Sequence, residues 1–348
     1  MNLSLSNPFM SVVIRSYNRL NCVLELIERS LNQDYKNYEI VVVDQSSDTH
    51  WIEYKQAFEL IDHKVRLIRT KPRGSAAARN LGVAVSRGDV VLLMDDDDLP
   101  VRDDWISSHA RNYNDPFCVG VSGKCLKRID EQTPYKNKQL AYKLCLTYSF
   151  FLRGKDFTGI DEVKKPVQWL HGLNASIRRS YVMRLGGWYP YINNFDEHSF
   201  CFKLQKVMKP HEYLMFDPKP VVLRRFDIPG GLGKRQLPLP KLLENQLIYY
   251  HRVVAKHYPI RFYSLYPIFM LYAFKYIIRW FRRFSYYTDS IWFKWFEKKN
   301  ALRLYFLQEF IKYPFLVIRV LFMKRPKWEG PLIIPKEIYH EYSKENSI

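Results

Sequence analysis

At 348 residues, 47% of them hydrophobic and 26% charged, the chain can bury a substantial core, and its composition excludes an intrinsically disordered protein. Its formal charge of +19 is unevenly spread: residues 241–348 carry 19 Lys and Arg against 8 Asp and Glu, which points to anionic lipid, nucleic acid or a phosphorylated substrate. Five scattered cysteines (Cys22, Cys118, Cys125, Cys145, Cys201) exclude a complete disulfide framework and suit a reducing compartment, while no signal core and no long apolar run predict export or a spanning helix.

The first predicted element is a strand at residues 10–14, MSVVI, followed by an amphipathic helix with Leu20, Val23, Leu24, Ile27 and Leu31 on one face. A second buried strand, Ile40–Val43, ends on Asp44. A helix over Trp51–Leu60 and a short strand at Val65–Ile68 come next. This β-α-β-α-β order predicts a parallel sheet with right-handed crossovers. Gly74 loosens the entry to a further helix that Ser75 could cap, and Ala76, Ala77, Ala78 and Leu81 allow close approach to the sheet. Arg79 lies among these alanines and could face a phosphate, a carboxylate or water.

Val91–Met94 then form a short apolar run that leads straight into Asp95, Asp96, Asp97 and Asp98, with Pro100 ending the strand. Carboxylates at the carboxyl end of a buried strand lie where open α/β sheets bind ligands. Four crowded like charges favour a neutralising cation, and oxygen ligands suit Mg²⁺ or Mn²⁺.

Downstream, a short strand is expected at Phe117–Ser122 and a loop with little regular structure over Lys124–Lys143. Trp169 and Leu170 read as buried, Asn174–Ser176 as a polar strand or turn, and Ser180–Leu185 as a helix stopped by Gly186-Gly187. Asp196 and Glu197 open another helix, where acidic groups also suit the helix dipole. A strand at Pro220–Leu223 leads into a glycine-rich loop, RRFDIPGGLGKR, and residues 241–258 read as helix.

Three of these segments together resemble a family 2 glycosyltransferase with the GT-A fold: SVVIRSYNRLNCVLELIERSLNQDYKNYEIVVVDQSSD, RGSAAARNLGVAVSRGDVVLLMDDDDLP and NASIRRSYVMRLGGWYPYINNFDEHSFCFKL. The resemblance covers roughly residues 9–235 and is judged by pattern. It implies an α/β domain over residues 1–238 with a mostly parallel central sheet, and leaves 239–348 as a helical, basic and aromatic extension. It implies nucleobase contact by Asp44, where Gln45-Ser46 replace part of the family's Asp-Gly-Ser and leave the base open. Asp95 falls on the ribose-contacting position, and Asp97, with Asp95 and Asp98, on the metal-holding ones. Asp96, Arg79, Arg224 and Arg225 join the expected donor-binding set, while Asn80 is expected to bond the pocket's backbone. Many relatives carry a metal-holding histidine where Arg224 and Arg225 stand, and arginine instead suits a diphosphate. The family's general base falls on Glu197, with Asp196 beside it as the second candidate.

The implied activity is inverting transfer from a nucleotide-diphosphate sugar, a UDP-sugar first, to a glycan or lipid-linked acceptor in cell-surface polysaccharide or glycolipid synthesis, with Mn²⁺ or Mg²⁺ as cofactor. A catalytically inactive binding protein on the same fold is the alternative. No zinc module, helix-turn-helix or RNA-recognition signature supports nucleic acid as a partner. Phe262–Phe274, followed by Arg279, Arg282 and Arg283, and again residues 313–328, read as interfacial helices, which predicts a peripheral protein on the inner face of the cell membrane.

Overall fold

The computed structural model describes residues 5–59, 61–126, 137–190, 195–225, 244, 247–264, 266–268, 311–312, 314–320, 322 and 330–342. The chain forms two compact units, Met1–Gly231 with Trp328–Ile348, and Leu232–Lys327.

In the first unit the apolar runs become strands β1 (Met10–Ser16), β2 (Tyr38–Asp44), β3 (Val65–Thr70) and β4 (Val90–Asp95), aligned in parallel in the order β3-β2-β1-β4. Helices α1 (Leu20–Leu31), α2 (Asp48–Phe58) and α3 (Ser75–Val85) connect them. The sheet continues through short β5 (Asp98–Pro100), β6 (Cys118–Leu126), β9 (Lys164–Val167), β10 (Asn174–Arg178) and β11 (Tyr213–Arg224). Between β6 and β9 lie helix α5 (Lys138–Leu144) and a small hairpin, β7 (Thr147–Tyr148) with β8 (Gly154–Lys155); α4 (Trp105–Ala110) precedes β6. α6 (Arg179–Leu185) and α7 (Asp196–Val207) follow β10.

α1 buries Val23, Leu26 and Ile27 on one side of the sheet. α3 packs on the other so tightly that a Cβ at Gly82 would collide with Val13 on β1. Asn174, fully buried, ties four elements at the start of β10. Its carbonyl accepts from Trp105 Nε1 and His109 Nε2, each at 2.9 Å, and its amide donates to the carbonyls of Lys124 and Pro220, each at 3.0 Å.

Several expectations change. β1 runs to Ser16, so Arg15 is a strand residue. Gly74, at φ 93°, takes the N-cap position expected of Ser75, and no side chain caps α3. The stretch expected to be a loop at Lys124–Lys143 instead extends β6 to Leu126 and starts α5, because Asn137 caps the Leu140 amide at 2.9 Å; residues 127–136 lie outside the described residues. β11 is far longer than the expected Pro220–Leu223: its two prolines are absorbed at a register shift between Phe216 and Val221. Within residues 239–348, strand β12 (Tyr339–Tyr342) pairs antiparallel with β3, and Arg66 bonds Glu341 at 2.7 Å. Most of the stretch read as a glycine-rich loop (224–235) and the aromatic tail over 269–310 lie outside the described residues.

In the second unit a π-helical turn, Tyr249–Val254, runs into short helices Ala255–His257 and Pro259–Ser264. Among the described residues no helix is long and apolar enough to cross a membrane.

Candidate functional site

Parallel pairing brings the carboxyl ends of β1, β2 and β4 together, with Ser16 opposite Asp44 and Arg15 opposite Asp95. After β4 the chain turns through Asp96 and Asp97, and β5 folds back against β11 so that Asp98 lies opposite Arg224. A row of four adjacent acids thus becomes a cluster with distinct environments.

Asp95 accepts from Arg15, Nε at 2.9 Å and the terminal nitrogen at 2.6 Å. Asp96 is buried against Ser16 Oγ at 3.1 Å and Arg19 at 2.7 Å; burial pushes it up to about 6, against the pull of Arg19. Arg19 also reaches Asp97 at 3.1 Å. Asp98 is the exception. Its side chain is fully buried, and among the described residues neither carboxylate oxygen has a hydrogen-bond partner. Burial and the charge of Asp95 push it well above the usual carboxylate range, with Arg224 opposing. An uncompensated buried carboxylate is costly and calls for a proton or a cation. Ligand oxygens of Asp95, Asp97 and Asp98 all lie within 4.8 Å of one another, so this donor set fits a hard divalent ion.

Arg225 and Asp96, both expected in the donor site, brace the acidic turn. Arg225 is paired with Glu25 on α1, and its backbone N–H donates to the Asp97 carbonyl at 3.1 Å, so it braces the turn. Asp96, held by Ser16 and Arg19, does the same from the other side. Arg224 does face the cluster: the charges of Asp98, Asp95 and Asp97 outweigh burial and raise its pKa. Asp44 is fully buried, accepting from the Ser46 backbone at 3.0 Å and from Arg69 at 3.1 Å. Arg69 in turn lies over the Trp51 ring at 4.7 Å.

The second acidic group sits at the start of α7. Arg79 on α3 is 2% exposed, donates to Asp196 at 2.8 Å, lies 3.6 Å from Glu197 and stacks 5.1 Å from the Trp188 centroid. Of the three partners the sequence allowed for Arg79, the structure selects carboxylates. Asn80 makes a two-way bond with the Trp188 backbone, 2.7 Å each way, and so locks the Gly-Gly-Trp turn to α3. Burial and the Glu197 charge push Asp196 up to about 7; burial also opposes ionisation of Glu197, but Arg79, the bond from Asp196 and Arg15 hold it low. The two carboxyls behave as a pair that keeps one proton toward neutrality. Glu197, 26% exposed against 8% for Asp196, is the member open to a substrate.

Gly172 forms the floor beneath this pair: a Cβ there would lie 2.5 Å from Glu197 Oε1 and 2.8 Å from an Arg79 nitrogen. Gly172→Ala is therefore expected to displace Glu197 and lower turnover by about 10²-fold, with an unchanged far-ultraviolet circular dichroism spectrum.

Three residues escape a sequence-level search. Arg15 pairs with Asp95 and also acts electrostatically on Asp196 and Glu197, which links the two acidic groups. Arg19 clamps Asp96 and Asp97 from the β1–α1 loop. His171, just before Gly172, pairs with Asp156 at 3.2 Å. The basic residues immediately after the first apolar strand were the available signal for Arg15 and Arg19; a lone histidine offered none.

The model for glycosyl transferase family 2 matches residues 11–186, just over half of the chain. Glycosyltransferase GlyG of Streptococcus pneumoniae serotype 4 is 35% identical over 103 residues, 29% of this chain and 34% of that protein. The glucosyl-dolichyl phosphate glucuronosyltransferase of Haloferax volcanii is 28% identical over 182 residues, 51% of this chain and 55% of its own length. The putative colanic acid biosynthesis glycosyl transferase WcaA of Escherichia coli is 32% identical over 152 residues, 40% and 54%. The chain thus spans a third to about half of these relatives. Among solved structures, the mannosyltransferase PcManGT of Pyrobaculum calidifontis, in complex with GDP-Man and Mn²⁺, shares the fold at a TM-score of 0.52 and 18% identity over 90% of this chain and 89% of its own. GalNAc-T7 with UDP, GalNAc and Mn²⁺ does so at 0.54 and 16%, over 71% and 47%.

Proposed function

This chain belongs to glycosyl transferase family 2, and we propose that it moves a sugar from a nucleotide-diphosphate sugar, a UDP-sugar first, to a hydroxyl of a glycan or lipid-linked acceptor in cell-surface polysaccharide or glycolipid synthesis. The observation that carries this is the pairing of an orphaned, buried Asp98 carboxylate beside Asp95 and Asp97 with a second, partly open carboxylate, Glu197, across Arg15. The fold shared with proteins that hold GDP-Man or UDP together with Mn²⁺ supports it.

Mn²⁺ or Mg²⁺ held by Asp97, Asp95 and Asp98 would supply the charge that neutralises a leaving diphosphate. Arg224, facing the same cluster, adds a fixed positive charge on that side. Asp44 and Asp95 hold the nucleoside. Glu197 accepts the proton of the acceptor hydroxyl as its oxygen attacks the anomeric carbon and the bond to the diphosphate breaks. Arg79 keeps Glu197 aimed, and Asp196 holds the proton that would otherwise compete for it. One base and one displacement imply inversion. A panel of nucleotide sugars assayed with Mn²⁺ for nucleoside diphosphate release tests the reading. Release from at least one donor is expected; binding without turnover of any donor would favour the inactive, ligand-binding alternative.

The second unit supports a membrane partner. Ile311, Phe315, Ile318 and Phe322 are all exposed, while Val320 is buried, and their spacing of four, three and four in the sequence is that of an amphipathic helix. Lys312 and Arg319 lie in the same segment, Arg319 also pairing with Glu244 at 3.3 Å, and basic residues near an anionic leaflet contribute about 1 kcal/mol each. The proposed placement is peripheral, on the inner face of the cell membrane. The chain is expected to sediment with phosphatidylglycerol-containing vesicles and Phe315→Ser/Ile318→Ser to lose most of that binding; wild-type protein remaining in the supernatant at low salt would remove the proposal.

A further inference from the structure

His171 enters β10 through a short turn that Gly172 presses against Glu197. Its backbone N–H donates to Ser122 Oγ at 2.7 Å, its ring rests against Trp169 at 5.7 Å, and its Nε2 lies 3.2 Å from Asp156. Asp156 is itself fixed by the Thr158 hydroxyl at 2.9 Å. The ring is thus held by Trp169 and Asp156, and the backbone by Ser122. Its Nδ1, however, is buried and has no hydrogen-bond partner among the described residues. An unpaired buried polar atom is costly, so Nδ1 calls for a partner. Burial works against the imidazolium, but Asp156 and Glu197 prevail and raise its pKa, with Arg224 as the opposing neighbour. An imidazolium with one unpartnered N–H suits an anionic oxygen better than a hydroxyl.

We propose that His171 is a phosphate-binding residue of this site, oriented by Asp156 so that Nδ1 donates to a phosphate oxygen of a substrate. This rests on the glycosyl-transfer reading and names a contact which that reading does not contain. The phosphate has two possible sources, the diphosphate of the sugar donor and the phosphate of a lipid-linked acceptor.

The test compares full-length wild type with His171→Ala and His171→Gln, titrated with UDP and GDP, with UMP and GMP, and with a short-chain isoprenyl phosphate, all in the presence of Mn²⁺. If the donor is the source, His171→Ala weakens nucleoside diphosphate binding about tenfold or more and leaves the monophosphates unchanged. If the acceptor is the source, the nucleotides bind as before and isoprenyl phosphate binding falls by a similar factor. His171→Gln, which keeps an N–H donor, recovers part of either loss, a pattern that mere disturbance of packing would not produce. Variants that match wild type with every probe overturn the assignment of His171 alone. A wild-type chain that binds none of the probes overturns the glycosyl-transfer reading with it.

Discussion

Glu197→Gln is expected to lower turnover by about 10²–10⁴-fold while leaving nucleotide affinity within about twofold of wild type. The substitution keeps the length and nearly the shape of the side chain, and it removes only the ability to take a proton. Glu197 lies 3.6 Å from Arg79, whereas Asp196 accepts from the same guanidinium at 2.8 Å and is almost wholly enclosed. In the proposed mechanism the two acids divide the work: Asp196 would anchor Arg79, and Glu197, the more exposed, would face the substrate. Asp196→Asn should also lower activity, but through loss of the Arg79 anchor, so its melting temperature should fall where that of Glu197→Gln does not. Steady-state rates with nucleotide titrations on both variants decide the matter. Near wild-type turnover in Glu197→Gln would remove it as the base.

Asp97→Asn is expected to abolish Mn²⁺-dependent nucleotide binding, measured by calorimetric titration with and without the metal. Among the described residues Arg19 reaches Asp97 at 3.1 Å and also holds Asp96, so the loss of Asp97 disturbs the cluster without leaving Arg19 unpaired. Protons should compete with the metal here. Asp98 holds its proton more tightly in the folded chain than in the unfolded one, because burial and Asp95 raise its pKa. In the cation-free protein that contribution to stability is complete below the unfolded carboxylate value of about 3.9 and is lost as pH rises toward the raised folded value. A cation that takes the proton's place removes this loss. The Mn²⁺-induced rise in melting temperature should therefore be larger at pH 7.5 than at pH 5.5 and absent in Asp97→Asn. Equal shifts at the two pH values, or an undiminished shift in the variant, would count against the cluster as the metal site.

The parts of the fold visible in the sequence were those written in local apolar patterns. β1, β2 and β4 are continuous Val, Ile, Leu and Met runs, and their carboxyl ends mark Asp44 and Asp95–Asp98 directly. The parts that were not visible depend on distant partners. β11 carries two prolines that locally argue against a long strand, and it persists because a register shift accommodates them. β12 pairs with a strand some 270 positions earlier, which no periodicity can reveal. The same holds within the site. The carboxylates were legible as clusters, but their roles were not, because the arginines that sort them arrive from elsewhere: Arg15 to Asp95, Arg19 to Asp96 and Asp97, and Arg79 to a pair 117 positions away. Arg225 shows the converse, since its place beside Arg224 in sequence suggested a shared role, while just past the end of β11 it pairs with Glu25 and its N–H bonds the Asp97 carbonyl.

In the proposed mechanism Asp95, Asp97 and Asp98 hold a cation against the diphosphate of a nucleotide sugar. Anomalous diffraction from crystals of the full chain grown with Mn²⁺ and a nucleoside diphosphate tests it most directly. The expected result is one strong manganese peak within ligand distance of Asp97 and a phosphate oxygen, with Asp98 turned toward it. A nucleotide bound with no manganese beside these aspartates, or a manganese peak elsewhere on the chain, would contradict it.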